Sequence, residues 1–189
     1  MEEMHDYSGE FRPDLKLSDF SKEALMRLWE TGGKLYIGLD GLWYNLIREK
    51  FGEKTASEWD WEIWKRATPL EVRRSREAMN IWGDDVASLF KFLQVDPGAG
   101  GIWPEFRCEL KNNQRGILTV NQCRALRYFE RHGDAAALTN ACEMDRWAFE
   151  DTAHCFNPRI RTRCLKLPPR SNPSEIGCQW EFWIEDGVD

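Results

Sequence analysis

The chain has 189 residues, a mass of 22.2 kDa, a net charge of -6 and a pI near 5.3. That length suits a single unit with one substantial core. The acidic balance supplies no field to attract a phosphate backbone, which argues against nucleic-acid binding, and no apolar run approaches the ~18 residues that read as a membrane span.

The six cysteines, Cys108, Cys123, Cys142, Cys155, Cys164 and Cys178, stand in a chain whose core needs no covalent staples. No signal peptide precedes Met1-Glu2-Glu3-Met4. The cysteines therefore read as reduced thiols of a cytoplasmic protein.

Residues 1–17 are polar, carry Pro13 and keep no steady period, the pattern of a flexible arm. Residues 18–96 read as helical. Ser18 or Ser21 caps a run in which Leu25, Leu28, Trp29, Leu35, Leu39, Leu42, Trp43, Leu46 and Ile47 recur near helical spacing, with Gly32-Gly33 a point of interruption and Gly52 the stop. Thr55-Ala-Ser-Glu58 forms a capping box, in which hydroxyl and carboxylate satisfy each other's orphan amides, and it predicts a helix through Trp59, Ile63 and Ala67. Thr68-Pro69-Leu-Glu71 repeats the device with proline at the first helical position, predicting a separate third helix. A fourth runs from Asp84 or Asp85 through Leu93, and Pro97-Gly-Ala-Gly-Gly101 reads as a linker.

Beyond that breaker the period becomes twofold. Phe106, Cys108 and Leu110 share one strand face, residues 111–116 turn, and 117–120 return as the second arm of a hairpin. A short helix follows over 125–131, and Asp134 caps a longer one carrying Ala137, Leu138, Ala141, Cys142, Asp145, Trp147 and Ala148. Ile160, Thr162 and Cys164 alternate in a third strand, and Cys178, Trp180, Phe182 and Ile184 in a fourth. The expectation is an α+β fold, a helical N-terminal half packed on a C-terminal ββ-α-ββ antiparallel sheet, with residues 97–189 forming one compact unit with 18–96.

The reactive groups concentrate late in the chain. Cys142 and Asp145 lie three apart on a predicted helix and so share a face, where a thiol and a carboxylate can work as nucleophile and proton carrier. The plainer alternative is a buried small hydrophobe beside a solvated acid. Cys164 and Cys178 stand on strands expected to pair. With Cys123 and Cys142 they compose a possible four-thiolate zinc site, although no C-x-x-C knuckle supports it, so neither a metal nor any other cofactor is assigned. His154 beside Cys155 offers an imidazole, but helix neighbours point apart. Asp40 and Trp43 share a helix face, which can turn a carboxylate into the bundle interior; Trp43 packing with Asp40 and Glu49 solvated is the expected arrangement. Residues 98–101 lack the lysine and hydroxyl of a phosphate loop.

Three late motifs, C-x-x-D at Cys142–Asp145, F-N-P at Phe156–Pro158 and C-x-W-x-F at Cys178–Phe182, resemble the L-2-amino-thiazoline-4-carboxylic acid hydrolase family. Leu39-Asp-Gly-Leu-Trp43, Glu49-Lys-Phe-Gly52 and Trp64 resemble a related group of uncharacterised prokaryotic cytosolic proteins. The chain departs from the family at Leu167, where members often carry a second cysteine. The resemblance implies a ligand-binding domain of the vinyl-reductase type and hydrolysis of a cyclic amidine-like C-N bond. Together with the shared helix face it makes Cys142 and Asp145 the catalytic candidates, with Cys142 or an activated water attacking and Asp145 moving protons, while Cys123, Cys164, Cys178, Trp180 and Phe182 line the site. A non-catalytic sensor that binds a small molecule or a metal through the same thiols is the rival from another class. A purely interacting helical scaffold is a third, and it requires exposed tryptophans on the first half. The aromatic surplus makes a homodimer possible.

Overall fold

The computed structural model describes residues 3–185; the first two residues of the expected arm and the last four of the C-terminal portion lie outside them. The chain is α+β, with a helical N-terminal half and a four-stranded antiparallel sheet in the C-terminal half. Residues 3–16 form no helix, and their one ladder contact is a bridge from Met4 to Phe20, with Tyr7 edge-on to Phe20 at 6.2 Å.

Ser21 opens α1 (Lys22–Phe51), its hydroxyl accepting the Ala24 amide at 3.3 Å. Gly32-Gly33 does not interrupt this helix. A Cβ on Gly33 would sit 2.7 Å from the Pro97 carbonyl oxygen, and one on Gly101 would sit 2.3 Å from the carbonyl oxygen of Gly33. The bare backbones let α1 and α4 (Pro97–Ile102) touch, and the close packing gained outweighs the ~1 kcal/mol a mid-helix glycine costs. The expected linker is thus a helix, capped by Asp96, whose carboxylate accepts the Ala99 amide at 2.7 Å.

Gly52 alone separates α1 from α2 (Glu53–Met79), with φ at 86°, a backbone angle that favours glycine. The two capping boxes predicted two helices here, and there is one, with Pro69 inside it. Neither threonine caps, because the helix already starts at Glu53 and runs through both. Proline removes one backbone bond at a cost of ~3 kcal/mol, which is offset by packing of α2 against both α1 and α6, with Ala56, Thr68 and Val72 buried. α3 (Val86–Val95) starts where Asp85 accepts the Ser88 amide at 2.8 Å, and it buries Val86, Leu89, Phe90, Phe92 and Leu93.

The sheet order is β1-β2-β4-β3, with β1 Glu105–Asn112, β2 Arg115–Gln122, β3 Ile160–Lys166 and β4 Cys178–Ile184. α5 (Arg124–His132) and α6 (Ala135–His154) connect its two hairpins, separated by Gly133 at φ 65° and the cap Asp134. Register sets the inner face in rows. Cys108, Leu118, Trp180 and Cys164 lie side by side, Phe106, Val120 and Cys178 form the row on one side, and Leu110, Gly116, Phe182 and Thr162 the row on the other. Onto this face pack Phe90, Phe149 and Phe156, completing the main core.

The opposite face carries Glu181, only 2% exposed although its neighbours are cations. Arg115 binds it at 2.6 Å, Lys111 lies 3.6 Å away, and Arg163 closes on its other oxygen. Burial acts against the ionised form, but the hydrogen bonds from Arg115 and Arg163 hold the carboxyl below its usual range. Arg161 and Arg163 therefore serve a charged sheet face, Arg161 pairing with Glu185 at 3.0 Å.

Candidate functional site

α6 presents Leu138, Cys142, Asp145, Phe149 and Ala153 at three- and four-residue steps, one continuous stripe. Its start is tied down twice, by the Ala137 amide bonding to Asp134 at 3.0 Å and by Arg48 of α1 bonding to the same carboxylate at 2.9 Å. Phe149 anchors the stripe in the core, stacked on Trp103 at 5.4 Å and tilted against Trp180 at 4.8 Å. Asp145, about one turn earlier on this stripe, is the acid that α6 turns inward.

Four thiols lie within electrostatic reach of that carboxyl. Cys123 follows β2 at the N-cap position of α5, Cys142 lies three residues before Asp145 on α6, and Cys164 and Cys178 stand on the inner faces of β3 and β4. The Asp145 charge reaches all four and pushes each thiol up, as a second cause behind burial for Cys142 and Cys178 and a smaller one for Cys123 and Cys164. Cys123 is raised to about 11 and Cys142 and Cys178 further still. Asp145 itself is driven up to about 7 by burial, with no neighbouring hydrogen bond or cation to offset it. The Trp180 indole is equally unsatisfied. Its N-H influences the adjacent Cys178 sulfur but makes no hydrogen bond of normal geometry, and it is wholly buried.

The arrangement is a half-buried carboxyl and an orphan donor among neutral sulfur atoms. All six cysteines are free thiols. Among the described residues, no three His, Cys, Asp or Glu side chains are arranged to hold a metal ion, so the four-thiolate zinc centre considered from the sequence is not assembled. Phe182 lies away from the thiols, edge-on to Phe90 at 5.5 Å and to Phe149 at 5.7 Å within the filled core. His154 turns toward Glu150 at 4.0 Å. The loop between β3 and β4 is held over α5 by Arg170, which grips Glu130 through two bonds of 2.8 and 2.7 Å and also reaches the carbonyls of Pro173 and Glu175.

Two surface cavities lie elsewhere. One of about 440 Å³ is lined by Val72, Arg76, Trp82 and Cys155, and one of about 480 Å³ by Trp61, Lys65, Met144, Trp147 and Asp151. Neither is walled by the four thiols.

The helical half holds polar groups of which periodicity singled out Asp40 alone. Asp40 is half-buried and Trp43 exposed, the reverse of the expectation from their shared face. Asp40 meets Asp60 of α2 beside the Trp64 indole. Burial raises Asp40, and burial with the Asp40 charge raises Asp60. One turn away in α1, Tyr36 donates to Glu71 at 2.7 Å, and Tyr44 donates to Glu53. Only knowledge of how α1 and α2 register could have found these pairs.

Two long helices joined through α3 and α6 to a four-stranded antiparallel sheet, with an unpaired inward carboxyl among thiols, define an α+β protein with a polar site in an otherwise apolar interior. The chain belongs to a family of unknown function, DUF6125, which matches residues 17–184. No curated protein and no solved structure matches it.

Proposed function

We propose that this chain is a cytoplasmic small-molecule-binding protein whose ligand presents a compact cation of the amidine type to Asp145. One observation carries the reading: an inward carboxyl, raised to about 7, with no hydrogen bond or cation to offset its burial. Such a group gains most from a ligand that brings its own positive charge and paired N-H donors, since these satisfy both oxygens at once. The orphan Trp180 N-H offers a second anchor for an acceptor on the same molecule, and the neutral thiols form soft walls. The resemblance to the aminothiazoline hydrolases supports the same ligand chemistry.

If the bound C-N bond is hydrolysed, Asp145 is the better proton carrier and Cys142 the poorer nucleophile. Burial and the Asp145 charge both oppose a Cys142 thiolate. Water adds to the amidine carbon while its proton passes to the Asp145 carboxylate, and the same proton then goes to the departing nitrogen as the C-N bond breaks. Titration calorimetry of the full chain with benzamidine and with 2-amino-thiazoline-4-carboxylate tests the reading. Binding is expected to strengthen as pH rises through 7 and to vanish in Asp145→Asn; affinity untouched by that substitution refutes it. Turnover of the thiazoline separates catalysis from sensing.

A further inference from the structure

On α1, Leu25, Leu28, Gly32, Leu35, Leu39, Leu42 and Leu46 follow one another at alternating three- and four-residue steps, the seam of a heptad repeat. A seam of this kind ordinarily faces a partner helix, yet here it faces away from the rest of the molecule. Leu28, Leu35, Leu39, Leu42 and Leu46 are between 43% and 70% exposed, and Trp43 beside them is 56% exposed. The contacts of α1 within the chain are made instead by its other side, through Gly33 to α4 and through Tyr36, Asp40 and Tyr44 to α2.

We propose that this leucine seam is a homodimer interface, covered by the same seam of a second copy about a two-fold axis. Three features favour a second copy over any other occupant. From residue 25 to 46 the seam carries no charge, because Arg27, Glu30, Lys34 and Asp40 all fall off it, so it has no sign with which to select a charged partner but matches itself. It is about 32 Å long at 1.5 Å per residue, so two copies cover each other along most of the helix. The five leucines and Trp43 make one continuous apolar stripe, each residue 43–70% exposed, where a monomer surface ordinarily scatters its hydrophobics singly.

Gly32 adds an independent indication. Unlike Gly33, it meets nothing within 4 Å of an added Cβ, so no contact inside the protomer explains a helix-weakening residue at that point of the seam. A partner leucine seated over it does, since a knob needs a hole. The interface stands apart from Asp145 and holds whether or not the amidine-binding reading is correct.

Sedimentation equilibrium of the full chain from ~0.5 to ~100 µM is the test, with Leu35→Lys and Leu39→Lys as separate variants. The wild type is expected at twice the 22.2 kDa protomer mass. Each lysine is expected to raise the dissociation constant at least ~100-fold, as loss of a central interface anchor does. Because these leucines touch solvent in the protomer, the far-UV circular dichroism of each monomeric variant should match that of the diluted wild type. A wild type that stays at 22.2 kDa at ~100 µM overturns the proposal, even if it binds lipid vesicles or another protein. So does a dimer whose dissociation constant neither lysine changes.

Discussion

Asp145→Asn is the most informative single change, because it removes a charge that burial opposes while keeping size and shape. The carboxyl normally titrates at 3.8 and is raised to about 7 in the fold, so the folded chain binds its proton more tightly than the unfolded chain does. A group raised in this way leaves stability intact below pH ~4, lowers it progressively as pH climbs from ~4 to ~7, and imposes the full loss above. The difference corresponds to about 4 kcal/mol, and to about 2 kcal/mol if water reaching this half-buried position halves the effect. Asparagine carries no such penalty. Urea unfolding of wild type and variant across pH 4–8 should therefore give near-equal stability at pH 4 and a variant more stable by about 2–4 kcal/mol at pH 8. For a chain of this size that is a thermal shift of roughly 5–15 °C. Asp40, Asp60, Glu71 and Asp96 are raised as well and slope the same way, but they are common to both proteins and cancel in the difference. A gap between the two proteins that does not change with pH, or a variant less stable at pH 8, refutes the account of Asp145 as an unpaired inward acid.

Three further outcomes are expected. With every thiol raised by burial, Cys108 to about 12 and Cys123 to about 11, titration with a disulfide reagent should be slow at pH 8 in the folded protein and fast in urea; a rapidly reacting Cys142 in the native state would rule out its neutral-wall role. Glu181→Gln leaves Arg115, Arg163 and Lys111 crowded without a countercharge, which should lower stability by about 1–3 kcal/mol by urea unfolding at pH 7. The loss should shrink as pH falls, because the lowered Glu181 carboxyl stabilises the fold only where it is ionised. Gly33→Ala puts a methyl 2.7 Å from a backbone oxygen and should cost about 2 kcal/mol or more, whereas Gly38→Ala, in open space five residues on, should gain about 0.5–1 kcal/mol. Thermal melts that rank the two alike would contradict the α1–α4 contact.

The inward stripe of α6 was legible before any coordinates. Cys142 and Asp145 three apart, followed by Phe149, follow from helical geometry, as do the alternating faces of β3 and β4 that send Cys164, Cys178, Trp180 and Phe182 to one side. The cap at Asp134 was equally plain, and those at Ser21 and Asp85 were narrowed to a choice of two each, because a side-chain oxygen that closes a free amide acts within three residues. Local signals misled where distant contacts outweighed them. Pro69 and the Thr68 box argued for a break, yet α1 and α6 hold α2 straight through it. The glycines of 97–101 resembled a linker until Gly33 across from them showed why a bare backbone was needed.

By itself, then, the order of residues determined most helices and all four strands, with α4 and the unbroken run of α2 the exceptions, and which side chains share each face, since both depend on periods of 3.6 and 2 and on caps of short range. Tertiary structure decided which faces meet. It put Asp40 against Asp60 and Trp43 in solvent, Phe182 into the filled core, and Asp145 alone among thiols too widely set to bind a metal. The reason is that a helix with apolar residues on two sides can bury only the one that the rest of the chain reaches. Which side of α1 that is depends on contacts with α2 and α4, residues far along the chain, and no local pattern encodes them.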